Sequence, residues 1–139
     1  MKLDREKLVK KIKNGEYKSI NVITGAGISV SSGIPDFRSP KIGLYAILKE
    51  KYGMDTPSEI FSISNFYKNP EIFYDFSREF NWDDYDPTPT HYFVAFLHKK
   101  NLLESYITQN IDCLEYKAGI PKDKIVAAHG DLSRAECPQ

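Results

Sequence analysis

The 139 residues hold no net charge, with 19 Lys and Arg against 19 Asp and Glu, and only two cysteines. Without a basic excess the chain has no electrostatic hold on a phosphate backbone, so direct nucleic-acid binding is not expected. Two cysteines in an otherwise ordinary composition make no disulfide framework and imply a reducing compartment. No apolar stretch reaches the length of a membrane span, and the opening MKLDREKLVKKIKNG lacks the apolar centre of a signal peptide. Asp4 and Glu6 argue against an acid-poor transit peptide. The expectation is a soluble cytoplasmic or nuclear protein with no membrane attachment. Internal repeats, low-complexity tracts and a Gly-Lys-Ser/Thr phosphate loop are also missing. No acidic residue stands at a second strand end about 20 positions beyond Gly25-Ala26-Gly27, which removes the ordinary dehydrogenase fingerprint.

What is present reads as one α/β domain large enough for a real core. Leu3, Leu8, Val9 and Ile12 among charges predict a short amphipathic helix ending near Gly15, with Lys10, Lys11 and Lys13 on its solvated face. Ser19 to Thr24 predicts the first strand, too apolar for an exposed edge and therefore central in a parallel sheet. Ser105 to Thr108 and Lys124 to Ala128 are the next strands, each followed by a turn. Strand, crossover, strand, crossover, strand is the first half of a Rossmann-like, doubly wound parallel sheet.

The first crossover is long, about 80 residues, and too rich in helical signals to be a loop. Leu44 to Lys51 follows Gly43, Pro57 opens a turn towards Phe61, and Pro70 starts a run through Phe80. Thr88 to Lys100 places Tyr92, Phe93, Phe96 and Leu97 at helical spacing. Of 18 aromatic residues, 12 fall between Phe61 and Phe96, which predicts a helical insertion building its own core. The expected division is 1–42 and 101–139 as the Rossmann-like part and 43–100 as the helical insertion.

Residues Gly25 to Arg38, GAGISVSSGIPDFR, leave the apolar run Ile20-Asn21-Val22-Ile23 directly. A strand ending in Gly-Ala-Gly before a helix start brings backbone N–H groups against a phosphate. Gly25 and Gly27 permit positive φ and close approach, and Ser29 adds a hydroxyl near the helix N-terminus. Asp36, Phe37 and Arg38 add an anion, a stacking face and a guanidinium on a Gly/Pro-stiffened loop. Asp36 has three readings: orienting Arg38, capping the turn, or bonding a ligand. Phe37 either covers a ligand or packs in a core, and Arg38 either forks onto a phosphate or holds the loop. TQNIDCL (Thr108 to Leu114) ends a second apolar run and AAHG (Ala127 to Gly130) a third. Asp112 by itself reads equally as a cap for the helix containing Leu114. His129 stands where nucleotide-site residues of such sheets gather, and histidine is the side chain suited to proton transfer near neutral pH. Cys113 is a buried filler or a modifiable thiol, and His91 and His98 read as packing or surface residues.

GAGIS, GIPDFR, TQNID and HG, in that order, resemble the sirtuins, the NAD-dependent protein deacylases, from about Ser19 onward. PTPTHYFVAFLHKKNLL and GLYAIL are similar to the branch of nuclear and cytoplasmic histone and tubulin deacetylases. The resemblance implies an enzyme that breaks the nicotinamide–ribose bond of NAD and passes the acyl group of a protein lysine to ADP-ribose. It assigns cofactor binding to Gly25, Ala26, Gly27, Ile28, Ser29, Ile34, Asp36, Phe37, Arg38, Gln109, Asn110, Ile111, Asp112 and His129. His129 becomes the catalytic base, and Asn110 and Asp112 hold the nicotinamide carboxamide. Cys137 takes the place of the first of four zinc-binding cysteines. The zinc module and the second half of the sheet are expected to lie outside these 139 residues. Asp131 and Leu132 depart from the small-then-aromatic pair common after HG, which touches substrate contacts. The implied partners are acetylated proteins with histone- or tubulin-like lysines. Two other readings stay open: a non-catalytic NAD- or nicotinamide-binding fragment, and a protein mono-ADP-ribosyltransferase.

Overall fold

A computed structural model describes residues 4–79 and 82–134. Leu3, Phe80 and Cys137, named above, lie outside the described residues. The chain divides into two compact units, Met1–Thr24 with Pro89–Gln139, and Gly25–Thr88.

In the first unit, helix α1 (Arg5–Lys13) begins at Asp4, whose carboxylate accepts the Lys7 N–H at 3.0 Å. It stops where Gly15 turns to φ +69°. Three parallel strands follow in the order β1-β2-β3: β1 (Ile20–Thr24), β2 (Leu103–Thr108) and β3 (Ile125–Ala127). The expected α/β class and parallel pairing are therefore observed. Among the described strands β2 lies between β1 and β3. Tyr106, opposite Val22 and Ile125, is fully buried and its phenol accepts the Thr24 hydroxyl at 2.9 Å. On the other face Ile23, Ile107 and Val126 form one cross-strand row, with Ile23 and Val126 exposed.

Helix α5 (Pro89–Lys99) packs on β2 and on the short α6 (Leu114–Lys117). Its buried residues are His91, Val94, Ala95 and Leu97, whereas Tyr92, Phe93 and Phe96 are exposed. The expectation that its aromatics build a core is overturned here. The helix is apolar almost all round, and the smaller side chains allow the closer approach to the sheet.

The second unit builds its own core from Leu44 and Leu48 on α2 (Leu44–Tyr52), Ile60, and Phe76 on α4 (Pro70–Glu79). Phe61 bridges it, edge-on to Phe76 at 5.6 Å and to Phe37 at 6.0 Å. Phe66, on α3 (Ile63–Lys68), stacks edge-on with Phe73 at 5.5 Å. Pro at the start of the 57–61 turn and of α4 fits the first helical turn, where its missing N–H is no loss. Among the described residues no helix is long and apolar enough to cross a membrane.

Candidate functional site

The carboxyl ends of the three strands are tied together by their own backbone. Gln109 N–H donates to the Thr24 carbonyl at 3.2 Å, and Ala128 N–H to the Thr108 carbonyl at 2.9 Å. Those bonds set the β2 and β3 turns side by side, where open parallel sheets hold ligands. His129 Nδ1 lies 2.9 Å from the Gln109 carbonyl oxygen. A carbonyl only accepts, so Nδ1 carries a proton, and in the neutral ring the lone pair is then on Nε2. The His129 side chain is exposed, and Gly130 turns the chain away at φ +75°. Gln109 is exposed and Ile111 half-buried, while Asn110 is buried and its N–H donates to Thr108 Oγ1 at 3.0 Å.

Asp112 does cap its helix: Oδ1 accepts the Leu114 N–H at 3.1 Å. The cap spans Cys113, which sits in the left-handed region at φ +62°. A carboxylate has lone pairs on both oxygens, so the cap leaves chemistry for the group to do. Cys113 is half-buried and its thiol faces the Ile111 carbonyl at 3.6 Å; burial pushes its pKa up to about 11. That is the filler rather than the modifiable thiol of the sequence reading. Asp131 accepts from the Tyr116 hydroxyl at 2.9 Å and from the Ser133 N–H at 3.0 Å. Its pKa is lowered, mainly by the Ser133 hydroxyl.

Beneath these turns stands a grouping that sequence spacing concealed. Ligating atoms of His91, Asp112 and Glu115 all lie within 4.8 Å of one another. The three residues are 0%, 4% and 0% exposed. Neither Glu115 oxygen has a hydrogen-bond partner in another described residue. Burial pushes the Glu115 pKa up to about 7, and the Asp112 and Asp131 charges push the same way. Burial lowers the His91 pKa, against the pull of Asp112. His91 was read as a packing or surface residue. Its helix position gives no sign of carboxylates 21 and 24 residues on; the glutamate on the apolar side of α6 was the available signal.

The glycine segment belongs to the second unit. It opens as a short 3-10 turn over Ala26–Ile28 rather than a helix, with Ile28 N–H bonded to the Gly25 carbonyl at 3.2 Å. Neither Gly25 nor Gly27 uses the positive φ that glycine permits; Gly33 does, at +98°. A Cβ on Gly25 or Gly27 would meet nothing within 4 Å. The open side is therefore what these glycines provide. Ser29 and Ile34 are buried, and Ile28 is half-buried. Asp36 takes the cap reading: it accepts the N–H groups of Arg38 and Ser39 and the Ser39 hydroxyl. The Ser39 hydroxyl is the main cause of its lowered pKa. Phe37 packs on Tyr45 and Phe61, at ring distances of 5.7 and 6.0 Å, so it is part of the unit's aromatic core. The Arg38 side chain is exposed.

The profile of the Sir2 family matches residues 25–139. This chain belongs to the Sir2 family. Its similarity to curated Sir2-family proteins runs through almost all of it. NAD-dependent deacetylase sir2A of Dictyostelium discoideum is 49% identical over 132 residues, covering 95% of this chain and 26% of that protein. NAD-dependent protein deacetylase hst2 of Schizosaccharomyces pombe is 45% identical, covering 95% of this chain and 40% of that protein. NAD-dependent protein deacetylase sirtuin-2 of Danio rerio is 43% identical, covering 97% of this chain and 35% of that protein. The chain thus spans between a quarter and two-fifths of the length of these Sir2-family relatives.

Proposed function

We propose that these residues form the NAD-binding and nicotinamide-releasing part of an NAD-dependent protein-lysine deacetylase. The observation that carries this reading is the His129–Gln109 bond, which holds the ring by its Nδ1–H and leaves Nε2 as the nitrogen not committed to that bond, at the carboxyl end of the sheet. Bound NAD supplies a nicotinamide leaving group and a ribose whose hydroxyl can take over an acyl group. His129 Nε2 is the base that accepts a proton from that hydroxyl, and its Nδ1–H bond holds the ring in the working tautomer. Asn110 and Asp112 bind the nicotinamide carboxamide, a buried amide and carboxylate being selective because leaving them unpaired is costly. Gln109 faces the nicotinamide ribose and Ile111 lines its pocket.

Gly25, Ala26, Gly27, Ile28 and Ser29 are assigned to the cofactor phosphates, supported by the open side of the turn. The turn's own bonds use the N–H groups of Ile28 and Ser29, and those of Ala26 and Gly27 precede its first bond. Ile34, Asp36, Phe37 and Arg38 support the same region. Asp36 does so by fixing the loop, and Phe37 by packing beneath it. A structural zinc takes four ligands, of which Cys137 is one on this reading; no step depends on the metal. On this reading 1–42 and 101–139 are the Rossmann-like part of the catalytic domain and 43–100 its insertion, although by packing Pro89–Lys99 goes with the sheet and Gly25–Thr88 is the second compact unit. Acetylated lysines of histone- or tubulin-like proteins are the substrates, in the cytoplasm or nucleus; the names of the relatives support protein deacetylation.

The test is product analysis after incubating the protein with NAD and an acetyl-lysine peptide. Peptide-dependent release of nicotinamide together with O-acetyl-ADP-ribose is the expected result. ADP-ribose attached to protein would support the transferase reading instead. NAD binding with no nicotinamide released would reduce the chain to a binding fragment.

A further inference from the structure

The second unit presents aromatic rings to solvent beside its core. Helices α3 and α4 are separated by Asn69 alone and pack on each other. On α3, Ile63 and Tyr67 stand one turn apart and are 67% and 65% exposed, and Tyr74 on α4 is 52% exposed. Phe66 links the two tyrosines, its ring centre lying 6.1 Å from Tyr67 and 5.8 Å from Tyr74. The exposed phenols therefore form one patch instead of scattered side chains, and contiguous apolar surface of this kind marks a site of interaction. We propose that this face of α3 and α4 is a docking surface for a lysine- or arginine-rich polypeptide segment. Such binding is independent of the chemistry at the cofactor site.

Charge selects the partner. Glu71, Tyr74, Asp75 and Arg78 are all exposed and fall at the spacing of one helical face. Carboxylates thus stand one turn before Tyr74 and directly after it. A ring face attracts an ammonium or guanidinium group, and a carboxylate beside it adds a charge-assisted hydrogen bond. Arg78 meets Asp75 at 3.3 Å, but the two side chains are 78% and 59% exposed, a pairing that water weakens and an incoming cation can displace. From Asp55 to Asp86 the chain has eight acidic residues against two basic ones, Lys68 and Arg78, although its net charge is zero. That field draws a cationic segment in and turns away nucleic acid and anionic lipid. A stable interface between proteins takes about 20–30 residues a side, which disfavours a second copy on a patch this small. An extended segment covers the two tyrosines without that area.

The experiment is fluorescence anisotropy of a labelled peptide of alternating lysine and glycine, titrated with the protein. Binding is expected in low salt and should weaken as salt is added, and a glutamate–glycine peptide should not bind. Tyr67→Ala with Tyr74→Ala, and separately Glu71→Gln with Asp75→Asn, should each weaken binding about tenfold. Tyr67→Phe with Tyr74→Phe keeps the rings and should bind as wild type does. Glu71→Lys with Asp75→Lys reverses the charge at exposed positions without touching the ring contacts, so binding should be lost at an unchanged melting temperature. No binding of the lysine peptide, or equal binding by the wild type and every variant, overturns the docking surface. Loss in the charge variants with none in the alanine pair leaves a diffuse field without an aromatic site and overturns it also. Self-association in sedimentation that the same variants abolish gives the face to a second copy, and that too overturns it.

Discussion

At the scale of single residues the site rests on two side chains with distinct duties. His129 holds a proton at Nδ1, so removing it should end proton transfer while most of the cofactor affinity, supplied by the other residues, is kept. His129→Ala is expected to lose at least about a hundredfold in deacetylation, while thermal protection by NAD survives. Deacetylation within tenfold of wild type, in an assay of acetyl release, would remove His129 from the mechanism. Asp112 has both a cap and a pocket role, and Asn at this position separates them. The amide oxygen can still accept from the Leu114 N–H, so Asp112→Asn should fold with stability within about 1 kcal/mol of wild type. Inhibition by nicotinamide should weaken about tenfold, since a buried partner is lost. A lower melting temperature with unchanged inhibition would leave Asp112 a cap only. The sequence made both residues legible because each sits on a turn directly after a strand. It hid Glu115 and His91, because a glutamate at a helix start ordinarily reads as a surface residue.

At the scale of elements, the strands were legible to within one or two residues, since each is a short apolar run closed by a turn. The order in which the described strands pair was not, because pairing depends on partners remote in sequence. The face of α5 was misread for a related reason: an apolar helix does not say which stripe the sheet will select. The glycine segment illustrates the difference between conformation and space. A Cβ on Gly43 would stand 2.6 Å from both the N and O of Ser39. Gly43→Ala should therefore cost about 1–3 kcal/mol, as overpacking does, read as a lower midpoint in urea. Gly25→Ala and Gly27→Ala meet open space at ordinary φ and should melt close to wild type. They should nonetheless bind NAD poorly, because the methyl stands where the phosphate must approach. Unaltered NAD affinity in both would move the phosphate elsewhere.

At the scale of the whole molecule, the α/β class and the long helical crossover follow from the pattern of apolar runs and from prolines placed at helix starts. The two-unit division depends on packing that no local signal reports. Buried charge gives the protein a pH signature. Glu115 binds its proton more tightly when folded, with a pKa of about 7 against an ordinary value near 4.3. A raised carboxyl pKa means that the folded state holds more protons within that window. Stability should therefore fall as pH rises from about 5 to about 8. Asp36 and Asp131, whose pKa values are lowered, act in the opposite sense only in more acidic solution. Melting curves across this range should show the decline in wild type and lose most of it in Glu115→Gln. The claim on which everything else depends is that these residues hold nicotinamide against the ribose carbon from which it leaves. Exchange of labelled nicotinamide into NAD, in the presence of an acetyl-lysine peptide, measures that step in both directions. Label should enter NAD with the wild-type chain and about tenfold more slowly with Asp112→Asn. NAD that binds yet acquires no label in the wild type would contradict the account.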